Sequence, residues 1–258
     1  MEVQDPIKEH YEQHLGHFYS WMTGSFEERK NEFKKFLADN LIQPNDTKTA
    51  LDLGAGHGIQ SIALAEQGFD VIAVDFSEKL LSELKSNTNN LPITPLNDDI
   101  RKVKQFAEKP GLITCCGDTL SHLSSKEEVE TLITDIANAL NENGKVILSF
   151  RDYSVALTGT HRFIPVKSDE RKILTCILDY EDDFVQVTDL FHEKIDDAWH
   201  QKVSTYRKVR LTTNDVIAFL TKNKLTIEFN RMVNHLPTVI AIKQTREVPE
   251  TKPGQAGY

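Results

Sequence analysis

The sequence has few cysteines, no long apolar run and no excess of basic residues. Its three cysteines, Cys115, Cys116 and Cys176, show no C-x-x-C spacing, so neither a zinc cluster nor a disulfide framework is indicated; we expect no metal and a reducing compartment. No run reaches the roughly 18 apolar residues of a membrane span, so we expect no signal peptide, no membrane partner and a cytoplasmic location. The 39 acidic residues outnumber the 30 basic ones, and this net charge of -9 argues against a nucleic-acid partner. A small molecule is the expected partner, and the number of subunits stays open, a homo-oligomer included.

Three glycines at alternate positions interrupt an apolar pattern. Segment 50–59 reads Ala-Leu-Asp-Leu-Gly-Ala-Gly-His-Gly-Ile, and its first half is typical of a buried strand. Gly54, Gly56 and Gly58 then allow a tight turn in which the backbone can lie close against a ligand. The apolar residues 59–65 predict a helix that ends at Gly68. The pattern therefore predicts a ligand site at the carboxyl edge of a sheet.

The spacing of these glycines indicates which ligand binds there. A dinucleotide fingerprint has the form G-x-G-x-x-G, and Ile59 stands where its third glycine belongs. Asp52 precedes the turn, where its negative charge is a poor neighbour for a phosphate and a good one for a sulfonium cation. Both observations favour S-adenosylmethionine over a nicotinamide dinucleotide.

A second buried strand pattern, 71–75, ends in a carboxylate. Asp75 follows the glycines by about 20 residues, the separation at which an acidic side chain holds the hydroxyls of a ribose. Phe76 comes next, and its ring either stacks on an adenine or packs in the core. Two strand ends and one carboxylate predict a nucleoside site.

Strand and helix patterns alternate along the first part of the chain. Further strand patterns lie at 93–96, 111–116 and 145–150. The alternation predicts an α/β fold with a doubly wound, mostly parallel sheet. After a small antiparallel β-sheet in an insertion, one helix and two strands complete seven strands. We divide the chain into an N-terminal helical lid (1–44), a core (45–154 and 212–244), an inserted antiparallel region (155–211) and a disordered tail (245–258).

The glycine segment resembles the first motif of the class I S-adenosylmethionine-dependent methyltransferases, (D/E)-x-G-x-G-x-G. The resemblance implies a Rossmann-like methyltransferase fold and an acidic residue after the third strand that binds the adenine amino group. Asp99 with Ile100 matches that position best, and Asp98 is a near competitor. The cofactor-binding residues that the resemblance implies are Asp52, Gly54, Ala55, Gly56, Gly58, Asp75, Phe76, Asp99, Ile100, Gly117 and Asp118.

Two later segments resemble the glycine and sarcosine N-methyltransferases. Residues 116–123 read Cys-Gly-Asp-Thr-Leu-Ser-His-Leu and are similar to the C-x-G-N-S-x-x-H-L loop of that group. Residues 150–153, Phe-Arg-Asp-Tyr, are similar to its H-R-N-Y segment. The motifs occur in order over residues 45–215.

This second resemblance implies a carboxylate-binding role for Arg151. A guanidinium holds a carboxylate through two hydrogen bonds and keeps its charge, although an ion pair with Asp152 is an alternative use of the side chain. Asp118 and Asp152 stand where that group has asparagines. We expect this extra negative charge to favour an ammonium or polyamine-like group over a bare carboxylate.

Aromatic rings are concentrated in the first 24 residues. Tyr11, His14, Phe18 and Trp21 recur at intervals of three or four residues and predict one helical face. Such a helix either packs on the core or closes as a lid over the substrate, where aromatic faces suit a cation. The candidate substrate-binding residues are Tyr11, Tyr19, Trp21, Asp118, Arg151 and Tyr206.

These patterns together predict a small-molecule methyltransferase that acts at an amine nitrogen by direct displacement at the sulfonium methyl. The amine must be deprotonated, and His122 is either the base or a structural residue at the following helix. His122, Arg151 and Tyr153 form the candidate catalytic set. An O-methyltransferase and a cofactor-binding domain without turnover stay open as alternatives.

Overall fold

The computed structural model describes residue 10 and residues 14–244 and contains two β-sheets. In chain order, the strands of the larger sheet are β1 (Thr49–Leu53), β2 (Asp70–Asp75), β3 (Ile93–Asn97), β4 (Leu112–Cys115), β5 (Lys145–Ser149), β10 (Leu225–Val233) and β11 (Leu236–Lys243). The smaller sheet contains β6 (Phe163–Ser168), β7 (Lys172–Tyr180), β8 (Phe184–Ile195) and β9 (Ala198–Val209). The α-helices are α1 (Tyr19–Thr23), α2 (Phe26–Asp39), α3 (Ile59–Glu66), α4 (Glu78–Asn87), α5 (Lys126–Ala139) and α6 (Thr213–Lys222).

The larger sheet has the strand order β10-β11-β5-β4-β1-β2-β3. β11 runs antiparallel to both of its neighbours, and the other adjacent pairs are parallel. Because side chains alternate along a strand, Leu51 and Leu53 pack with α5 and α6, whereas Ala50 packs on the opposite face with α2, α3 and α4. Helices therefore cover both faces, and the predicted doubly wound, seven-stranded sheet is confirmed.

The strand order places the chemically interesting loops together. The chain order of the strands reverses between β4 and β1, so the loops after these two strands diverge and leave a crevice at the carboxyl edge. The loops after β2 and β5 flank the same edge, because both strands run parallel to their inner neighbours. The glycine turn, Asp75, Asp118 and Arg151 all lie in these loops or at these strand ends.

The smaller sheet is antiparallel throughout and follows β5 in the chain. Its strands lie within the predicted insertion, although the sequence indicated only three β-rich runs and missed β6. Along β8, Val185, Val187 and Phe191 alternate inward and are buried. Val185 and Val187 pack with Tyr153 beyond β5, so this inserted sheet covers the carboxyl edge of the core.

The N-terminal segment joins the inserted sheet to the core, and we call residues 14–23 the N-terminal strap. A 3-10 turn at Leu15–His17 precedes α1, so the single helix predicted through His14, Phe18 and Trp21 is not formed. Phe18 instead stacks on Phe191 of β8, with 4.2 Å between ring centroids. The predictions for Tyr11 and for the tail 245–258 lie outside the described residues.

The described residues lack two features, a membrane-spanning helix and a cluster of metal-binding side chains. Within residues 14–244 we find no helix with the length and apolar character needed to cross a membrane. The same part of the chain contains no cluster of three or more His, Cys, Asp or Glu side chains that could hold a metal ion.

Candidate cofactor and acceptor site

The loop between β1 and α3 has the conformation that its glycines predict. Gly54 and Gly58 have φ angles of +74° and +101°, which L side chains rarely adopt. A Cβ at Gly54 would lie 2.4 Å from Thr119 Oγ1, and one at Gly58 would lie 2.8 Å from Leu84 Cγ. Both positions therefore require glycine for conformation and for space.

Asp75 at the end of β2 points toward this turn. Its Oδ2 accepts a hydrogen bond from the Gly56 N–H at 2.8 Å, and its Oδ1 accepts one from the Ser77 N–H at 2.8 Å. The side chain is 7% exposed, and burial raises the pKa of its carboxyl group. The carboxylate predicted for a ribose therefore lies beside the glycine turn.

Asp52 has a different environment from the one expected of a direct cofactor ligand. Its Oδ2 accepts a hydrogen bond from Ser61 Oγ at 2.5 Å, and its Oδ1 accepts one from Thr114 Oγ1 at 2.8 Å. The residue is 1% exposed, and burial raises the pKa of Asp52 to about 6. We infer that Asp52 supports the turn from the core by joining β1, α3 and β4.

The adenine side of the predicted site lies after β3. Asp99 caps a 3-10 turn that begins at Ile100, and its Oδ1 accepts a hydrogen bond from the Arg101 N–H at 2.9 Å. The Arg101 side chain also binds Asp99 Oδ2, with 2.7 Å from Nε. Asp99 thus has an ionic partner within its own loop, and its contact with an adenine stays a proposal.

Other predicted cofactor residues line the same edge through their backbones. The Ala55 N–H donates to the Val74 carbonyl at 3.0 Å, and the Gly117 N–H donates to Ser149 Oγ at 2.8 Å. The carbonyl of Phe76 accepts a hydrogen bond from Asn97 Nδ2 at 2.9 Å. These bonds join the ends of β1 and β2, of β2 and β3, and of β4 and β5 around the crevice.

Tyr19 of the N-terminal strap lies over the glycine turn. A Cβ placed at Gly56 would lie 3.6 Å from Tyr19 Cε1, and the Tyr19 ring packs edge-on against His57 with 5.3 Å between centroids. Burial, followed by Asp75, raises the pKa of Tyr19 to about 12. The Tyr19 ring therefore covers the glycine turn from the side of the strap.

Trp21 belongs to the other side of the strap. Its Nε1–H donates to Asp169 Oδ2 at 2.5 Å, and Lys167 Nζ lies 5.3 Å from the centroid of its ring. The ring also meets Phe191 edge-on at 6.2 Å. These contacts anchor the strap to the inserted sheet and give Trp21 a structural environment in this arrangement.

Asp118, in the loop after β4, is surrounded by donors. Its Oδ1 accepts hydrogen bonds from Ser121 Oγ at 2.5 Å and from the Arg151 N–H at 3.2 Å. Its Oδ2 accepts one from Tyr153 O–H at 3.4 Å and pairs with Lys208 Nζ. Burial alone would raise the pKa of Asp118, but Lys208, His122 and Arg151 lower it to about 2. Asp118 is therefore an ionised and fully partnered carboxylate.

Lys208 was not among the candidates from sequence. It lies on β9, and the alternation of Ser204, Tyr206 and Lys208 places all three on the same face of the inserted sheet. This alternation in the sequence could have indicated that Lys208 points inward. Its partner Asp118 is evident only from the packing of the inserted sheet on the core. Its charge changes the expectation that Asp118 makes the pocket negative.

Asp152 does not contribute negative charge to this group. Its Oδ2 accepts hydrogen bonds from the Thr213 N–H at 3.0 Å and from Thr213 Oγ1 at 2.8 Å, at the start of α6. Its Oδ1 accepts one from the Ser154 N–H at 2.8 Å. The expectation that both aspartates line the pocket is therefore wrong for Asp152, because the loop after β5 directs it toward α6.

His122 and Tyr206 form part of a ring stack. The Tyr206 ring stacks on His10 with 4.0 Å between centroids and on His122 with 5.7 Å. Burial, followed by the positive charge of Lys208, lowers the pKa of His122 to about 3. A histidine with so low a pKa is a weak proton acceptor, which favours the structural alternative for His122 over the base.

We expect Asp118 to stabilise the fold in a pH-dependent manner. Its pKa of about 2 lies below the usual 3.8, so its contribution is present above pH 3.8 and is lost as the pH falls through 2. The wild type should therefore be more stable than Asp118→Asn. The difference in their free energies of unfolding should be about 2 kcal/mol larger at pH 5 than at pH 2. Urea titrations across this range measure the difference, and a pH-independent gap would contradict it.

A doubly wound sheet with an antiparallel β11, a glycine turn after β1 and a carboxylate at the end of β2 defines the class I methyltransferase fold. Residues 50–144 match the family model described as a methyltransferase domain. The glycine/sarcosine N-methyltransferase of Aphanothece halophytica is 29% identical over 119 residues, which cover 45% of this chain and 45% of that protein. The chain spans less than half the length of the first curated relatives that it matches.

Two solved structures show the same fold over most of the chain. The S-adenosylmethionine-dependent methyltransferase from Clostridium acetobutylicum has a TM-score of 0.68 at 18% identity, covering 85% of this chain and 92% of that one. The sugar N-methyltransferase KedS8 from Streptoalloteichus has a TM-score of 0.69 at 12% identity, covering 88% and 92%. Residues 50–144 therefore match a methyltransferase domain, and the chain shares the fold of these S-adenosylmethionine-dependent methyltransferases.

Proposed function

We propose that this protein methylates an amine nitrogen of a small molecule. The observation that carries the proposal is the polar cluster at the carboxyl edge, where Asp118, Arg151 and Tyr153 lie together and Tyr153 packs beneath the inserted sheet. The similarity to a glycine/sarcosine N-methyltransferase and to a sugar N-methyltransferase supports nitrogen as the acceptor atom. An edge that an inserted sheet covers suits a small acceptor better than a polymer.

The residues at the edge fit the cofactor. A side chain at Gly54 or Gly58 would collide with Thr119 or Leu84 and displace the turn, and the Asp75 carboxylate accepts a hydrogen bond from Gly56 of this turn. In our proposal Asp75 binds the ribose, the backbone of residues 54–58 contacts the amino-acid part, and Asp99 with Ile100 contacts the adenine. S-adenosylmethionine supplies a methyl group on a positively charged sulfur.

Alignment of the acceptor is the main contribution of the protein. Holding two reactants in line can supply about 7–11 kcal/mol of a barrier. Asp118 is fixed by Ser121, Tyr153 and Lys208, so it gives the acceptor space one rigid wall. Because His122 is a weak base, we propose that the amine enters in its deprotonated form and that the covered site excludes competing water.

The N-terminal strap acts as the lid in this proposal. Tyr19 lies over Gly56 while Trp21 and Phe18 bind the inserted sheet, so one short segment bridges both sides of the crevice. Entry of the cofactor requires Tyr19 to move from the turn. Once the cofactor has displaced it, the phenol ring is available to line the acceptor space.

The direct test combines binding with transfer. Calorimetry should show saturable, one-to-one binding of S-adenosylmethionine to the purified protein. Incubation with methyl-labelled cofactor and a panel of amines and alcohols should label an amine, whereas labelling of an alcohol alone would indicate the O-methyltransferase alternative. Binding without any labelled product would favour a cofactor-binding domain without turnover, and the absence of binding would refute all three.

A further inference from the structure

His57 stands between Gly56 and Gly58 in the turn after β1, and its side chain contacts the N-terminal strap. The residue is 5% exposed, and its carbonyl accepts a hydrogen bond from Asn87 Nδ2 at 3.4 Å. Burial lowers the pKa of its imidazole, although Glu83 acts in the opposite direction. His57 therefore contributes a neutral ring to the contact between the turn and the strap.

Three residues of the N-terminal region surround this ring. Tyr19 meets it edge-on with 5.3 Å between ring centroids, and Phe26 of α2 does so at 5.3 Å as well. Thr23 Oγ1 lies 3.4 Å from His57 Nε2. Because the Thr23 hydroxyl donates to the Ser20 carbonyl at 3.1 Å, its oxygen is available to accept a hydrogen bond from the imidazole. The imidazole thus has one aromatic and one polar contact with α1.

The geometry of α1 explains why one side chain makes both contacts. Tyr19 and Thr23 are the first and last residues of this helix and stand four positions apart, so they lie on the same helical face. That face meets His57, whereas Trp21 contacts Asp169 beside the inserted sheet. His57 therefore joins the glycine turn to one side of the strap, and the contacts on the other side are separate.

The contact with His57 places the Tyr19 ring over Gly56. The Cε1 and hydroxyl oxygen of Tyr19 lie 3.6 Å and 3.7 Å from the position that a Gly56 Cβ would occupy. Gly56 has a φ of +54° and no side chain, so a ligand can approach its backbone closely. The cofactor proposed for this turn approaches the same backbone, so the ring and the cofactor compete for it. Such competition reduces the apparent affinity by the fraction of protein in which the turn is open.

We propose that His57 is a positioning residue that acts through Tyr19: it holds the phenol ring over the glycine turn and thereby slows the entry of S-adenosylmethionine. The inference rests on the proposed function, because it concerns the cofactor of the same reaction. It gives a residue inside the glycine motif a role in the movement of the strap. The strength of its contacts with α1 then sets how fast the protein reloads after each turnover.

The test compares cofactor binding in five forms of the protein. The forms are the wild type, His57→Ala, Tyr19→Ala, the double variant, and His200→Ala as a control at an exposed histidine. His57 does not have a positive φ, so alanine at this position imposes no backbone strain. The probe is S-adenosylhomocysteine. Calorimetry measures its dissociation constant, and stopped-flow mixing measures its association and dissociation rates separately.

His57→Ala should bind the probe about tenfold more tightly than the wild type, because an aromatic pair and a weak polar contact together shift an equilibrium by about this factor. The gain should lie in the association rate, with the dissociation rate unchanged. Tyr19→Ala should show at least the same gain. Adding His57→Ala to Tyr19→Ala should change the dissociation constant by less than about twofold, since the interaction is already lost. His200→Ala should match the wild type.

Thermal unfolding by circular dichroism shows whether each variant is folded. A purely structural histidine would lower the melting temperature and weaken binding when it is removed, and its effect would be the same with and without Tyr19. If His57→Ala does not fold, His57→Asn carries the same expectation, because it fills part of the space and also lacks the aromatic ring.

Three results would overturn the proposal: an unchanged or weaker affinity in the folded His57 variant, no gain in Tyr19→Ala, or a full further gain when the two substitutions are combined. Failure of the proposed function is distinguishable from these results. In that case the wild type itself would bind neither S-adenosylmethionine nor S-adenosylhomocysteine, whereas failure of this inference leaves wild-type binding intact.

Discussion

Replacing Asp75 with alanine is expected to weaken the binding of S-adenosylmethionine by at least about 100-fold, because hydrogen bonds to a charged group contribute about 1.5–3 kcal/mol each. The carboxylate is buried beside Gly56, and it also receives the Ser77 N–H. Its loss removes the acceptor proposed for the ribose and leaves two backbone donors without their partner. Isothermal titration calorimetry with the purified variant measures the change.

The control for this variant lies on the same strand. Asp70 begins β2 and is exposed, so Asp70→Ala should leave the dissociation constant unchanged. Thermal unfolding of both variants shows whether lost affinity reflects a lost fold. A dissociation constant for Asp75→Ala within about threefold of the wild-type value, less than 1 kcal/mol, would refute the role of this carboxylate.

Gly58→Ala is expected to lower the free energy of unfolding by about 2–4 kcal/mol, combining backbone strain with overpacking. The residue has a φ of +101°, and the new methyl group would lie 2.8 Å from Leu84 Cγ. Leu84 is fully buried, so it has no open space into which to withdraw. Denaturant titration provides the measurement.

Gly117→Ala separates the effect of backbone strain from the effect of overpacking. Gly117 also has a positive φ, +85°, but no atom lies within 4 Å of the position where its Cβ would stand. This variant should therefore show only the conformational cost, about 1 kcal/mol. Equal losses of stability in the two variants would mean that Leu84 imposes no steric restriction on the turn.

Local sequence patterns predicted the core of the fold because each pattern indicates one type of secondary structure. Apolar strands that alternate with amphipathic helices bury both faces of a parallel sheet, and the doubly wound arrangement does this. The glycines of 54–58 and the position of Asp75 likewise follow from sequence spacing, and the structure brings them together. The inserted sheet was predicted in outline, but β6, which contains Pro165, was missed.

Contacts between distant segments could not be predicted in this way. Asp118 appeared as an unpaired charge because Lys208 is 90 residues away, and Asp152 appeared equivalent to it although its loop directs it to Thr213. The placement of Tyr19 over Gly56 depends on where the strap crosses the sheet edge. Each of these features is set by packing of the insertion and the strap on the core, which no local periodicity encodes.

Arg210 limits how the inserted sheet can move. Its guanidinium donates to the carbonyls of Tyr153 at 3.2 Å, Ser154 at 3.2 Å and Glu181 at 3.0 Å, so one side chain ties the outgoing and returning crossovers together. Rotation about these crossovers would break all three bonds at once. Solvent and ligands should therefore exchange from the opposite flank, where the N-terminal strap crosses the edge of the core, while the inserted sheet keeps its position.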